Sequence, residues 1–99
     1  MVKLIAIYRK PENIQEFDQH YSEIHTPLAK KMPGLIKLEI NKIYGAPTGE
    51  SDLCLIAEMY FENHDALMQA LSSPEGRAAG KDLMGFAGKI VSMHFAEVL

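Results

Sequence analysis

Four stretches of the chain carry the apolar pattern of β-strands. Residues 2–9 (VKLIAIYR) and 53–61 (LCLIAEMYF) are short and apolar on both alternating faces, which is typical of buried strands. Residues 35–45 (LIKLEINKIYG) alternate between apolar and polar side chains, as expected of a strand with one face towards a core. Residues 89–99 (KIVSMHFAEVL) form the fourth predicted strand.

A helical pattern follows the first strand. Asn13 is a good N-cap residue, and Glu16 stands three positions later, as in a capping box. At about 100° per residue, the apolar residues of this segment form one stripe about 80° wide, which contains Ile14, Phe17, Tyr21, Ile24, Leu28 and Met32. His25 lies at the edge of this stripe and widens it by about 20°. Pro27 lies inside this pattern and has no amide hydrogen, so we predict a kink or a break there.

A second helical region follows the third strand. Residues 63–71 (NHDALMQAL) predict a helix capped by Asn63, and another helix is expected to begin at Ser73, with Pro74 in its first turn, and to continue to Gly88. The order of the elements is therefore β-α-β-β-α-β. This order predicts a ferredoxin-like α+β fold with a four-stranded antiparallel sheet, in one domain that spans residues 1–99.

The predicted helices can cover only one face of this sheet. The first, third and fourth strands are nevertheless apolar on both faces, and their second set of apolar residues includes Ile5, Ile7, Ile56, Tyr60, Met93 and Phe95. Because a large apolar patch is rarely left in water, we predict a homodimer in which two sheet faces pack together into an α+β barrel. The alternative is that the segment after Gly80 folds over this face.

Composition and charge exclude several classes of partner. The chain has 47% hydrophobic and 23% charged residues, as globular domains do. Its net charge is −3 and its basic residues are scattered, so we expect no nucleic-acid partner. No apolar run approaches the roughly 20 residues of a membrane span, and no signal peptide is legible, so we expect no membrane association. The single cysteine, Cys54, predicts a reducing, cytoplasmic setting.

His20 and His25 are the first candidates for chemistry. Residues five apart on an α-helix are separated by about 140°, and no cysteine or second carboxylate completes a ligand set, so we predict no metal site. His25 shares a helix face with Tyr21, four residues earlier. This pairing predicts His25 as a general acid–base group and Tyr21 as a residue that orients a carbonyl or stabilises an oxyanion. The alternative is that His25 only fills the core.

Small residues in two strands leave room for a ligand. Ala6 and Ala57 lie at the middle of the predicted central strands and, if both face the helices, leave space beneath the first helix. Tight packing of the helix on the sheet is an equal alternative. The residues expected to contact such a ligand are Tyr8, Phe17, His20, Phe86 and His94.

The stretches YRKPENIQEFDQHYSEIHTPLAKKMPGL and MYFENHDALMQALSSPEGRAAGKDL, with APTG between them, resemble the EthD family of the dimeric α+β barrel superfamily. The similarity extends over essentially the whole chain, and its most specific residues are Phe17, His20, Tyr21, His25, Pro27, Pro33 and Gly34. The family is named after an operon for ethyl tert-butyl ether degradation. The resemblance implies a ferredoxin-like monomer that dimerises through its sheet and has a cleft between the sheet and the helices.

What the resemblance implies about activity is broader. Similar barrels include cofactor-free enzymes that act on small organic molecules, such as muconolactone isomerases and polyketide monooxygenases or cyclases, and other relatives bind haem. We therefore expect a small organic ligand and no cofactor. If the protein is an enzyme, we expect a cofactor-independent isomerase, cyclase or oxygenase. A non-catalytic ligand-binding or accessory protein of the same fold, and haem ligation through His25, stay as alternatives.

Overall fold

Two strands that are distant in sequence, Val2–Arg9 and Leu53–Phe61, form the centre of the sheet. A computed structural model describes all 99 residues. Its elements are β1 (Val2–Arg9), α1 (Ile14–His20), a π-helical segment (Tyr21–His25), α2 (Thr26–Lys30), β2 (Lys37–Lys42), β3 (Leu53–Phe61), α3 (His64–Ser72), α4 (Pro74–Ala87) and β4 (Val91–Glu97). The sheet order is β2-β3-β1-β4 and every pairing is antiparallel, which confirms the predicted ferredoxin-like α+β fold. None of the helices combines the length and apolar character that a membrane crossing requires.

Side-chain caps fix where three of the helices begin, at the positions that the sequence predicts. Asn13 Oδ1 accepts a hydrogen bond from the Glu16 amide at 3.1 Å. Asn63 Oδ1 accepts one from the Ala66 amide at 2.8 Å. Ser73 Oγ accepts a hydrogen bond from the Gly76 amide, in the first turn of α4, at 3.0 Å. Each cap satisfies an amide that has no partner within its own helix, and so each sets a helix start.

The helix predicted across residues 14–32 is not broken at Pro27. It widens instead into the π-helical segment, in which the Thr26 amide donates to the Tyr21 carbonyl, five residues earlier. The ring of a proline crowds the carbonyl four residues before it, and a wider turn directly ahead of Pro27 relieves that crowding. Of the predicted kink or break, the break is absent: the chain stays helical to Lys30, and the helix is irregular directly before Pro27.

The wider turn changes which side chains the first helical region buries. The buried residues are Phe17, Tyr21, His25, Ala29 and Met32. Ile24, which α-helical spacing places in the apolar stripe, is 48% exposed, and Ile14 at the start of α1 is 42% exposed. The prediction that these two isoleucines belong to the core is wrong. The π-helical segment adds a residue to one turn, so His25 takes the core position that an unbroken α-helix would give to Ile24.

The register of β4 also corrects one expectation about the sheet. Phe95 lies opposite Leu4, and Met93 lies opposite Ala6, so both side chains share the face that the helices cover. The prediction that they lie on the second face is therefore wrong. They are still 56% and 41% exposed, respectively, because β4 is an edge strand and α3 packs on β1 and β3 instead.

The open face of the sheet has an apolar centre beside a charged strip. The apolar residues on it are Ile5, Ile7 and Ile56. Next to them, Lys3 Nζ lies 2.8 Å from Glu58 Oε1, and Lys37 Nζ lies 2.9 Å from Glu39 Oε2. Both ammonium groups lie over the Tyr60 ring, at 5.3 and 5.4 Å from its centroid. The open face is thus more polar than the sequence pattern predicts.

Candidate functional site

One carboxylate holds both histidines of the first helical region. His20 Nε2 lies 2.8 Å from Asp82 Oδ1, and His25 Nδ1 lies 3.1 Å from Asp82 Oδ2. The three residues, here called the His–Asp–His cluster, come from α1, the π-helical segment and α4, so the cluster joins the two helical regions. Side-chain exposure falls along it, from 30% for His20 through 18% for Asp82 to 8% for His25.

The π-helical segment is the reason that the two histidines meet. On an unbroken α-helix, His20 and His25 would point about 140° apart, and that was the basis for treating them as separate groups. A π-helix bonds residues that are five apart, so such residues lie one turn above the other. The expectation that the two imidazoles diverge is wrong, and its source is the assumption of α-helical geometry throughout.

Phe86 forms an apolar wall beside the cluster. It follows Asp82 by four residues on α4 and therefore shares its helix face. Its ring centroid lies 4.3 Å from that of His20 and 5.3 Å from that of His25. It also lies 5.7 Å from the Phe17 ring, which continues the wall into the core. Packing on this wall restricts the rotation of both imidazoles.

Two clefts open beside His20 and Phe86. The larger cleft, about 550 Å³, lies between the loop before α1 and the C-terminal end of α4, and its lining includes Glu12, Glu16, Phe17, His20, Met84, Phe86 and Lys89. The smaller cleft, about 510 Å³, is bordered by His20, Lys81, Asp82 and Phe86. His20 is the histidine that both clefts reach, whereas His25 borders neither.

The charge state of His25 follows from its position in the cluster. Burial lowers the pKa of His25 from its ordinary value of 6.5, against the opposing hydrogen bond and charge of Asp82, and the nearby His20 lowers it further. His25 is therefore neutral at pH 7 and donates Nδ1–H to Asp82. The negative charge of Asp82 is left for its other partner, His20.

Tyr8 and Tyr21 are buried beside the cluster. They are 1% and 7% exposed, and their rings meet edge to face at 5.5 Å between centroids. Burial raises the pKa of Tyr21 to about 12, and it also raises the pKa of Tyr8. Both hydroxyl groups are therefore neutral at pH 7 and are limited to hydrogen bonding.

The structure brings most of the predicted site residues together. One contiguous aromatic group contains Tyr8, Phe17, His20, Tyr21, His25 and Phe86. His94 is not part of this group, because it lies opposite Ile5 on the open face, where its Nε2 lies 3.2 Å from Ser92 Oγ. Ala6 and Ala57 pair across β1 and β3 on the helix side, but aromatic rings pack over them. At these two alanines the first helical region packs tightly on the sheet, and no space for a ligand is left there.

Asp82 is the member of the cluster that the sequence pattern does not single out. It lies 57 residues after His25, with no local motif to connect the two. The available signal is weak: Asp82 borders the buried stripe of α4 formed by Ala79, Leu83 and Ala87, where a carboxylate needs a partner. Only the tertiary fold shows that the partners are the two histidines.

The cluster does not have the geometry of a metal centre. The two imidazole nitrogens contact separate oxygens of Asp82 instead of converging on one point. No group of three or more His, Cys, Asp or Glu side chains is arranged to hold a metal ion. Cys54 is buried, and burial raises the pKa of its thiol, as in a structural cysteine.

The chain is similar to known proteins of one family. The model of the EthD domain matches residues 9–90. An uncharacterized 11.0 kDa protein from the thcB–thcC intergenic region of Rhodococcus erythropolis is 31% identical over 97 residues, which cover 98% of this chain and 94% of that protein. The crystal structure of an EthD family protein from Bacillus halodurans is 47% identical, covers 100% of this chain and 99% of its own, and superposes with a TM-score of 0.99.

Two solved structures of lower identity share the fold. A dimeric ferredoxin-like protein of unknown function from Bacteroides fragilis is 19% identical, with coverages of 98% and 95% and a TM-score of 0.67. SnoaB, a cofactor-independent oxygenase from Streptomyces nogalater, is 15% identical in its N63A form, with coverages of 98% and 91% and a TM-score of 0.70. The family model and the two closer relatives together show that this chain belongs to the EthD family.

Proposed function

We propose that this EthD family protein is a homodimeric, cofactor-independent enzyme that moves a proton on a small organic molecule bound beside His20. The observation that carries the proposal is the hydrogen bond between His20 and Asp82 at the wall of two clefts. An imidazole held by a carboxylate at a cavity wall has the arrangement of a general acid–base group. The role in the cell would be in the degradation or biosynthesis of small molecules.

The proton transfer depends on which imidazole nitrogen of His20 is bound to Asp82. Nε2–H donates to Asp82, so Nδ1 keeps a lone pair and can accept a proton. On an enolisable ketone, Nδ1 takes the proton of the carbon next to the carbonyl, and the electron pair of that C–H bond moves to give an enolate. The imidazolium, stabilised by the Asp82 carboxylate, then returns a proton to carbon or oxygen. No redox partner is needed for this step.

The lining of the larger cleft indicates which ligands fit. Phe17, Met84 and Phe86 provide apolar surface, and the charged groups are Glu12, Glu16 and Lys89. Two carboxylates against one ammonium group disfavour an anionic ligand. A volume of about 550 Å³ suits a molecule of one to three rings. We therefore expect a neutral, largely apolar ring compound with a carbonyl or hydroxyl oxygen.

A second copy of the chain is the proposed cover for the open face of the sheet. The isoleucine centre of that face is only half-buried in one protomer, and an apolar patch that is left partly in water favours a partner. The charged pair Lys3–Glu58 is already neutralised within the chain, so a second copy meets no unpaired charge there. That the ferredoxin-like protein from Bacteroides fragilis is dimeric supports a dimer of this chain.

Deuterium exchange on a probe ketone tests the enzyme proposal. The full-length protein is mixed with 2-tetralone, a neutral bicyclic ketone, in deuterated buffer, and loss of the protons next to the carbonyl is followed by NMR. General acid–base groups accelerate such steps by about 10²-fold or more, so we expect clear acceleration over buffer. The variant His20→Gln, which keeps a donor for Asp82 but has no base, should lose it. The control His64→Gln, at the exposed start of α3, should retain it.

The same experiment separates the enzyme from a non-catalytic binding protein. If 2-tetralone shifts the NMR signals of Phe86 and His20 but exchanges no faster than in buffer, the cleft binds without catalysis and the enzyme proposal is wrong. The dimer is tested by analytical ultracentrifugation at micromolar concentration, where we expect twice the chain mass of 11.1 kDa. Ile56→Lys, at the centre of the open face, should give the monomer, and a monomeric wild-type protein would contradict the dimer.

A further inference from the structure

We propose that His25 is a positioning residue, which acts through Asp82 to hold His20 in a single tautomer with Nδ1 free towards the cleft. This inference deepens the proposed function and rests on the acid–base role of His20. It assigns a use to a histidine that the clefts do not reach. It also gives the π-helical segment a purpose, because only that segment brings His25 to the same carboxylate as His20.

The first support is the way in which the carboxylate is held. Asp82 has one oxygen on each imidazole, at 2.8 Å to His20 Nε2 and 3.1 Å to His25 Nδ1. A carboxylate with one partner can rotate about its terminal bond, whereas one with a partner on each oxygen is fixed in plane and direction. Fixing Asp82 in this way keeps Oδ1 aimed at Nε2 of His20, and that contact selects the tautomer.

The second support is the separation of His25 from any ligand. Its side chain is 8% exposed, it lies behind Phe86 and Tyr21 at centroid distances of 5.3 and 5.4 Å, and it borders neither cleft. A ligand in either cleft meets His20 and Phe86 first. His25 therefore influences the chemistry through Asp82 and not by direct contact.

The third support is charge. The groups that face His25 are Asp82 from α4, His20 from α1 and Tyr21 from its own segment, and the neutral Tyr21 adds no charge. A neutral His25 donates a hydrogen bond to Asp82 without cancelling its charge, so the full negative charge stays beside His20. A lysine or arginine in the place of His25 would hold Asp82 equally well but would neutralise it.

The test uses three substitutions that differ in whether they supply a donor where Nδ1 of His25 lies. His25→Asn places its amide nitrogen close to that position, His25→Gln places it beyond, and His25→Leu supplies none. The tautomer of His20 is measured in the intact, ligand-free protein from the ¹⁵N shifts of its imidazole. The same samples are then assayed for deuterium exchange on 2-tetralone, and their folding is checked by urea unfolding.

We expect the wild-type protein and His25→Asn to show one tautomer of His20, with the proton on Nε2. His25→Leu should show a mixture, and its exchange rate should fall by about 10- to 100-fold, the cost of a misplaced catalytic group. His25→Gln should behave like His25→Leu, and it provides the same comparison if the leucine variant does not fold. A residue that merely fills the core predicts no difference between the asparagine and glutamine variants.

The positioning role is overturned if His25→Leu or His25→Gln, while folded, keeps the single tautomer and the wild-type exchange rate. The NMR measurement needs no ligand, so it stands apart from the proposed function. If the tautomer changes as expected but the wild-type protein does not exchange 2-tetralone, the proposed function fails and the positioning of His20 by His25 is still supported.

Discussion

Two helical regions cover the same face of the sheet, yet they do so with different side chains. The region from α1 to α2 buries Tyr21 and His25, and its turns change from α to π and back. The pair α3 and α4 buries only apolar residues and glycine, and both helices are regular. The irregular region contributes the two histidines, and the regular pair contributes the carboxylate and the aromatic wall that hold them. The regular, apolar pair therefore supports the side chains that the irregular region presents.

The largest expected loss of stability comes from a substitution in the core beneath the regular pair α3 and α4. Leu67 of α3 is completely buried and packs in one cluster with Phe61 and Leu4. Leu67→Ala removes this packing and leaves a cavity, which should lower the free energy of unfolding by about 2–5 kcal/mol. The measurement is urea unfolding at one fixed protein concentration, because the stability of the proposed dimer depends on concentration. The neighbouring Met68, 40% exposed, supplies the control Met68→Ala, which should change stability by about 0.5 kcal/mol or less.

The second prediction concerns the junction of the two regular helices. A Cβ atom on Gly76 would overlap the Ala70 carbonyl oxygen, so Gly76→Ala must displace backbone. We expect a loss of about 1–3 kcal/mol, as in overpacked cores. Gly80 lies one turn later with open space around it, so Gly80→Ala should stabilise the protein by up to about 1 kcal/mol through helix propensity. Equal effects from both variants would show that the close approach at Gly76 is absent.

The third prediction concerns the pH dependence of stability, to which the buried His25 of the irregular region contributes. Burial holds the pKa of His25 below its ordinary value of 6.5, so the unfolded chain binds more protons at that residue as the pH falls through and below 6.5. Acidification should therefore lower the free energy of unfolding over this window, by less than Gly76→Ala does. The groups that face His25 are Asp82, His20 and the neutral Tyr21. The variant His25→Asn keeps the hydrogen bond but removes its own titration. Its stability should fall less between pH 7.5 and 5.5, and an unchanged pH dependence would contradict the assignment.

The regular parts of the fold are predictable from the sequence because local rules and tertiary packing agree there. Asn63 and Ser73 cap helices where the sequence places caps, and β1 and β3 begin and end at the predicted residues. Strand alternation alone does not give the register between strands. The side of the sheet on which Met93 lies depends on its pairing with Ala6, so alternation alone predicts the wrong face for it.

The candidate site is predictable only in part. Tyr21 and His25 follow from the apolar stripe, but the meeting of His20 with His25 requires the π-helical turn, for which Pro27 is an ambiguous signal. Asp82 is brought in by helix packing over a long sequence separation, which no local pattern encodes. What the sequence misses is the interaction that the structure makes central, because it depends on one irregular turn and one long-range contact.

The smallest expected effect provides the sharpest test of that turn. An unbroken α-helix would bury Ile24, and Ile24→Ala would then cost about 2–5 kcal/mol. In the structure Ile24 is 48% exposed and His25 is buried, so the same substitution should change the free energy of unfolding by about 0.5 kcal/mol or less. The matched control is Phe17→Ala, at a position that both geometries bury and that is 4% exposed, with an expected cost of about 3–5 kcal/mol. A large loss from Ile24→Ala would mean that the helix is regular in solution. His20 and His25 would then point apart, and Asp82 could not hold both.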